Sequence, residues 1–574
     1  RCQKTSEDLV DSYFQIAGIH GLPYVRWDGA GPEQPVEVPA GYCQHFTTII
    51  TTWHRPYCAL YEQTINRHAI DIAAEYKVDR EEWQKAAGNL RLPYWDWAVH
   101  PLPPKEFYDH SQFSQVAIIL PDGTSGKVDN PLLAYKFHTG KGPEPPKDPN
   151  FDWKNSLADF PATVRHPTGP NSTSDIDSFE GYLIRQFERT RRDIAALLLK
   201  VDDWFKFGTQ AAGSGSFTNS LEALHGSLHF RIGRGGHMNQ EPYAAFDPIF
   251  FLHHSNVDRV LALWQAIHYQ QWVSPQNDSA ATWVTKRRTL VDENTPLAPF
   301  WKSQTNFWTS AQCRDWTVLH YTYPEFDGLQ MTDTSAVSEA ITRRARDLYY
   351  DDNTFPAFSG SIPTAPAAPP APPQVGFTTI LSANFIVRTI SGLWSVLTRA
   401  GRSTRLSESI EWTVRIRCKQ ADLYKTSSIL IFLGGIPSDG NTCINDERFA
   451  GSYDPFVNPY PQGCRNCVDN VNTVLEGFIH ITADLIRQGL DVMDVGRVKD
   501  YLQQNLKWAV WTHGGEYGRV EDLKSLEVTV IDTPIYGPEG AEIPLIGGVR
   551  KHSEVTFDKP GGRVRVLGHS SAHR

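Results

Sequence analysis

The chain has 574 residues, too many for one core, so two or more domains of about 100–200 residues are expected. It is 40% hydrophobic and 21% charged with a formal net charge of −10, which excludes a nucleic-acid binder that works through a basic face. No apolar run approaches the roughly 20 residues of a membrane-spanning helix, so no membrane partner is expected.

Apolar residues recur at three- and four-residue spacing over Glu7–Ile19, Phe46–His68, Phe179–Leu199, Thr218–His229 and Asn256–Gln270, which predicts helices there. Long Pro/Gly-rich loops run between them, above all His100–Pro170. Loops of that length in a compact domain are functional or firmly pinned. Phe355–Val375 reads FPAFSGSIPTAPAAPPAPPQV. Such Pro/Ala density packs as neither helix nor sheet and predicts an extended spacer. The chain therefore divides into 1–354, a linker at 355–376, and 377–574. Beyond the linker, Thr378–Val387, Ile410–Arg417, Ser428–Leu433, Gly477–Ile481, Trp508–Thr512, Leu526–Ile531 and Val564–Leu567 read as short strands with turn signals between them. The expected fold is a mainly α first domain, a helical bundle with long loops, followed by an all-β, sandwich-like second domain.

Eight cysteines in a chain of this length do not make a disulfide scaffold, and reduced thiols are expected for most. Two glycosylation sequons, at Asn171 and Asn277, are near chance.

His225 and His229 lie four residues apart in a helical pattern, so both imidazoles share one face and can hold one metal ion. A zinc-protease reading fails, because Gly226 stands where the HExxH motif carries its glutamate base. Downstream, His253 and His254 sit within the apolar, aromatic run Phe246–Arg259. Burying imidazole there without a partner is costly, which points to a metal or a hydrogen bond. Three further histidines, His20, His45 and His54, crowd one short upstream stretch. Two all-imidazole sites are thus within reach, and such ligands suit copper, zinc, iron or nickel.

In chain order the sequence carries Gly18–Pro23 (GIHGLP), Cys43-Gln44-His45, Trp53–Tyr57 (WHRPY), Leu92–Trp97 (LPYWDW), Leu221–His229 (LExxHxxxH) and Asp247–Arg259 (DPIFFLHHSNVDR). Together these resemble the type-3 dicopper proteins, specifically fungal tyrosinases, over roughly residues 7–330. The resemblance implies one copper on His20, His45 and His54 and a second on His225, His229 and His254, with His253 a neighbour. It implies a thioether between Cys43 and His45, which would fix that ring's orientation. It implies O2 as co-substrate, and small phenols such as tyrosine, DOPA and catechols hydroxylated at the ortho carbon and oxidised to o-quinones, the chemistry of pigment formation. Glu222 matches the glutamate that orients a water beside the second copper and takes a proton-handling role. Gly226 departs from the asparagine of strong monophenolases, which keeps a plain catechol oxidase open. Tyr321-Thr322-Tyr323 resembles the motif that closes the catalytic domain.

Residues 377–574 resemble the C-terminal domain that keeps fungal pro-tyrosinases latent until cleavage. Gly451–Pro461 is aromatic-rich and loop-like, and one ring, Phe456 ahead of Tyr453 and Tyr460, is expected to plug the substrate pocket. Cys464 and Cys467 form a CxxC whose soft thiolates suit Cu(I) and could load the site. Arg343-Arg344, with Arg346, and the linker are the expected exposed sites for an activating protease. The polar N-terminus (Arg1-Cys2-Gln3-Lys4) shows no signal core, and an intracellular, cytoplasmic location is expected. Assembly is left open, a homo-oligomer included. An oxygen carrier of hemocyanin type shares the histidine pattern; the cleavable-looking linker favours the enzyme.

Overall fold

A computed structural model describes residues 3, 5–31, 41–42, 44–145, 157–169, 172–213, 215–277, 282–286, 289–350, 406–440, 442–460, 464–512, 515–538 and 545–563. The spacer, the strands expected at Thr378–Val387 and Val564–Leu567, Cys2, Cys43 and Asn171 lie outside the described residues.

The first part of the chain is built on helices α1 (Tyr13–Gly18), α2 (Ile50–Glu75), α3 (Ile176–Lys200), α4 (Leu221–Gly233), α5 (Ile249–Ile267) and α6 (Thr334–Tyr349). Capping sets several starts. The Ser12 hydroxyl accepts from the Gln15 N–H, so α1 begins at Tyr13, not at Glu7. Asp175 and Ser220 cap α3 and α4 in the same way. Helix α2 begins at Ile50 and not at Phe46, because Phe46 takes a left-handed φ of 68°. Helix α5 starts seven residues ahead of the expected Asn256, directly after Pro248. Every residue from Ile249 to Ala266 is buried, so this helix has no polar face to mark its first turns. Helix α6 carries Arg343, Arg344 and Arg346. The dibasic pair is thus part of a helix and not of extended backbone of the kind a protease grips.

The C-terminal part holds nine strands among the described residues: β1 (Leu406–Lys419), β2 (Thr426–Leu433), β3 (Phe449–Tyr453), β4 (Val474–His480), β5 (Leu506–Thr512), β6 (Tyr517–Gly518), β7 (Glu527–Pro538), β8 (Leu545–Ile546) and β9 (Arg550–His552). They form two antiparallel sheets. One runs β4-β1-β7-β8 with β9 also on β7, and the other runs β6-β5-β2-β3. Alternate residues of β1 (Ile410, Trp412, Val414, Ile416) join Ile429 and Ile431 of β2 and Val528 and Val530 of β7 in one core.

The two parts share a wide contact. Segment 210–212 bridges the free edge of β4: the Glu476 N–H donates to the Gln210 carbonyl at 2.9 Å, and the Ala212 N–H donates to the Val474 carbonyl at 2.7 Å. Arg189 of α3 pairs with Asp484 at 3.1 Å. Each part also lends a phenylalanine to the other's core: Phe456 belongs to the helical cluster and Phe46 to the strand cluster.

Candidate metal centre

Helix α2 supplies His54, and the turns ahead of it supply His45. His20 follows α1. Helix α4 supplies His225 and His229 one turn apart, and α5 supplies His253 and His254. These residues are all buried and gather into two groups: His20, His45 and His54 in one, and His225, His229, His253 and His254 in the other. Within each group, one ligand atom per residue lies within 4.8 Å of the others. The groups face each other. His54 stacks on His254 with ring centroids 4.3 Å apart, and His45 lies 5.8 Å from His225 at 21°.

Backbone carbonyls orient the rings. The Nδ1 atoms of His20, His54, His225 and His229 face the carbonyls of Glu241 (3.0 Å), Ile50 (2.9 Å), Glu222 (3.3 Å) and Met238 (3.0 Å). A carbonyl only accepts, so each Nδ1 carries the hydrogen and each Nε2 presents a bare lone pair. The Nε2 atoms of His20, His54 and His225 are buried without a hydrogen-bond partner. Those of His229 and His254 approach to 3.1 Å. Burial lowers every ring's proton affinity, and the neighbouring imidazoles lower all but that of His54 further: His20 falls to about 3, His54 to about 4, and His45, His225, His229 and His254 fall well below the ordinary 6.5. Neutral imidazoles with unmet lone pairs are the donor set that copper takes. His253 lies flat against His225, 5.5 Å away at 9°, and beside Trp97. The second group therefore offers four histidines where the resemblance implied three. Of the adjacent pair, His254 alone stacks on His54 and meets the His229 Nε2.

Glu222 is buried and spends its carboxylate on backbone and hydroxyl donors. The Phe46 N–H donates to Oε1 at 2.7 Å; the Gln210 N–H and the Thr209 hydroxyl donate to Oε2 at 2.8 and 3.0 Å. Burial raises it to about 7 against the pull of these bonds. Phe456 stacks on His229 at 4.1 Å and 13°, and sits 5.6 Å from His45 and from His225. Its Cβ passes so close to α4 that a methyl on Gly226 would lie 2.8 Å from it. The other two rings of that loop point elsewhere: the Tyr453 hydroxyl donates to Gln210 Oε1 at 3.2 Å, and Tyr460 packs with Leu22 and Tyr24. Cys464 and Cys467 are buried in that same cluster and belong to neither histidine group, with the Cys467 N–H donating to the Cys464 Sγ at 3.4 Å. Between them, Asn466 donates to the His45 carbonyl at 3.2 Å. Tyr321 and Tyr323 both donate to Asp258, which also receives Arg55 of α2. Phe46 and Gln210 were not among the residues expected here. Nothing in their local pattern marks them, because their importance lies in contacts with segments far along the chain.

Sequence profiles of the common central domain of tyrosinase and of the tyrosinase C-terminal domain match residues 10–267 and 411–530. Polyphenol oxidase 2 of Agaricus bisporus is 32% identical over 551 residues, covering 95% of this chain and 90% of the relative. The chain belongs to the tyrosinase family. A tyrosinase of Neurospora crassa is 28% identical, with 98% of this chain and 92% of that protein aligned. The crystal structure of latent and active mushroom tyrosinase superposes with a TM-score of 0.76 at 30% identity, over 96% of this chain and 92% of that one. The tyrosinase domain is a type-3 dicopper unit, and the two facing histidine groups suit two copper ions. The helical domain followed by an antiparallel strand domain is the tyrosinase architecture, and the chain is a copper oxidoreductase that uses O2.

Proposed function

We propose that this tyrosinase is a latent oxidase of small phenols, silenced by its own C-terminal domain. The observation that supports this reading is the Phe456 ring, stacked on His229 and central to both histidine groups, where a phenol ring would lie. His20, His45 and His54 would hold one copper, and His225, His229 and His254 the other. Bound there, the coppers supply O2 activation and accept the electrons of the phenol. The protein orients the ligands through their pinned Nδ1–H groups and keeps water out by burial. Glu222, lifted to about 7, is poised near neutrality to take a phenolic proton. The Cys43 thioether, if formed, would hold the His45 ring. Cys464 and Cys467 would pass copper inward; a Cys464→Ser/Cys467→Ser chain that loads copper at the parent rate removes that role.

A second reading, a catechol oxidase with weak monophenol hydroxylation, draws on two facts. Glu222 already accepts from three protein donors, and Gly226 has no side chain to help hold a water. Oxygen uptake by copper-loaded chain, cut within 355–376 and freed of its C-terminal domain, separates the two. Uptake on a simple monophenol, absent from the uncut chain, is expected. Uptake on the matching catechol alone leaves the second reading. Reversible O2 binding without turnover on either would overturn both.

A further inference from the structure

The two phenylalanines that cross between the domains do different things. Phe456 fills the site. Phe46, next in sequence to His45, goes the other way and buries its ring, 4% exposed, in the hydrophobic cluster of the C-terminal strands. Its backbone sits at φ 68°, a conformation that residues with a Cβ adopt at a cost and keep only where surroundings impose it. What imposes it here is the apolar bed given by the other domain and the Glu222 carboxylate on its N–H. The same carboxylate holds Thr209 and Gln210 through its second oxygen. That segment is itself an edge partner of strand β4, and Tyr453 of β3 donates to the Gln210 side chain. Both arms of Glu222 therefore end on segments that touch the C-terminal domain, while its own helix carries His225 and His229.

We propose that Phe46, Glu222 and segment 209–212 form a docking relay that reports the C-terminal domain's presence to the metal ligands. With the domain seated, the ring of Phe46 and the β4 edge hold both ends, the His45 loop is fixed in its left-handed turn, and both Glu222 oxygens are engaged by those two segments. When the domain leaves, Phe46 loses its bed and its reason for positive φ, the 209–212 segment loses its strand partner, and the carboxylate is released toward the site. Latency on this account has two parts, a ring in the pocket and a base held out of use. The proposal rests on the reading that loss of the C-terminal domain activates the enzyme.

Hydrogen–deuterium exchange on the full, uncut chain tests it without requiring turnover. Phe46→Ala removes the ring but keeps the N–H on Glu222. The amides of Gln210 and Ala212, far in sequence, are expected to exchange at least tenfold faster, while Phe456 still fills the site of the uncut chain. Phe46→Leu, which still fills the bed, should stay near the parent. Ala212→Pro attacks from the other end by deleting the N–H given to Val474, at a half-buried turn position. It should speed exchange at the Phe46 amide. Unchanged exchange at 209–212 in Phe46→Ala, or at Phe46 in Ala212→Pro, overturns the relay. A parent chain that oxidises no phenol after cutting defeats the proposed function instead, and the exchange pattern still reads the relay.

Discussion

At the scale of single residues, the centre works because small constraints remove freedom from large rings. Four carbonyls fix four imidazoles, and burial keeps them neutral. Gly226 is the sharpest case. An added Cβ would meet the Phe456 Cβ at 2.8 Å, and a Cβ is fixed to its backbone and does not swing aside as a side-chain tip does. Gly226→Ala gains about 1 kcal/mol of helix propensity but overpacks the contact by about 1–3 kcal/mol. The seated loop should therefore lift before the helix suffers. Uncut Gly226→Ala chain is expected to oxidise catechol roughly 30-fold faster than uncut parent, for a loss of about 2 kcal/mol at the seated contact and tenfold per 1.4 kcal/mol. A silent variant with unchanged Phe456 mobility would mean that the loop adapts in place.

At the scale of elements, helices α2 and α5 carry ligands for different groups, so their mutual position sets the distance between them. One buried knot holds it. Arg55 of α2 donates through Nε to Asp258 of α5 at 2.6 Å, and through Nη1 to Gln265 and to the Cys313 carbonyl. Tyr321 and Tyr323 close on the other Asp258 oxygen. Arg55 is 0% and Asp258 2% exposed, so an unmatched charge there has no water to turn to. Asp258→Asn should cost about 3–5 kcal/mol in urea unfolding and loosen metal retention. Lys136→Ala, breaking a pair with 74% and 68% exposed partners, should move stability by under about 1 kcal/mol. Equal losses from both would dispose of the knot. Elements were unevenly legible. Helices α3 and α4 showed their period in sequence, whereas the first turns of α5 did not, since a helix buried all round has no polar face. Helix α6 buries Val337, Ile341, Ala345 and Tyr349 in the core, with Leu348 partly buried against it, a narrow stripe between charges.

At the scale of the whole molecule, burial of neutral histidines outside the centre should make stability fall in acid. Burial lowers His166 to about 3 and His237 to about 4, from 6.5 in the unfolded chain. Below pH 6.5 the unfolded chain takes up protons that the folded one refuses, so stability is lost as pH drops toward 4. At pH 5 each contributes about 2 kcal/mol of loss, at 1.36 kcal/mol per unit. Glu222, raised from 4.5 to about 7, works in the opposite sense over that range. Urea midpoints at pH 7 and pH 5 check this: His166→Gln should shrink the difference between them by about 2 kcal/mol, and an unaltered difference would count against the assignment. The spacing of His225 and His229, the order of the motifs, the Pro/Ala spacer and the change of texture after it are local properties, so the sequence alone determined the helical and strand-rich parts and the six candidate ligands. Which ring of the Gly451–Pro461 loop reaches the histidines, where Glu222 spends its oxygens, and why Phe46 matters were decided only by tertiary structure. The contacts that decide them join segments far apart in the chain, as Phe46 and Glu222 are by 176 positions, and no local period or composition records which distant segments a folded chain brings into touch.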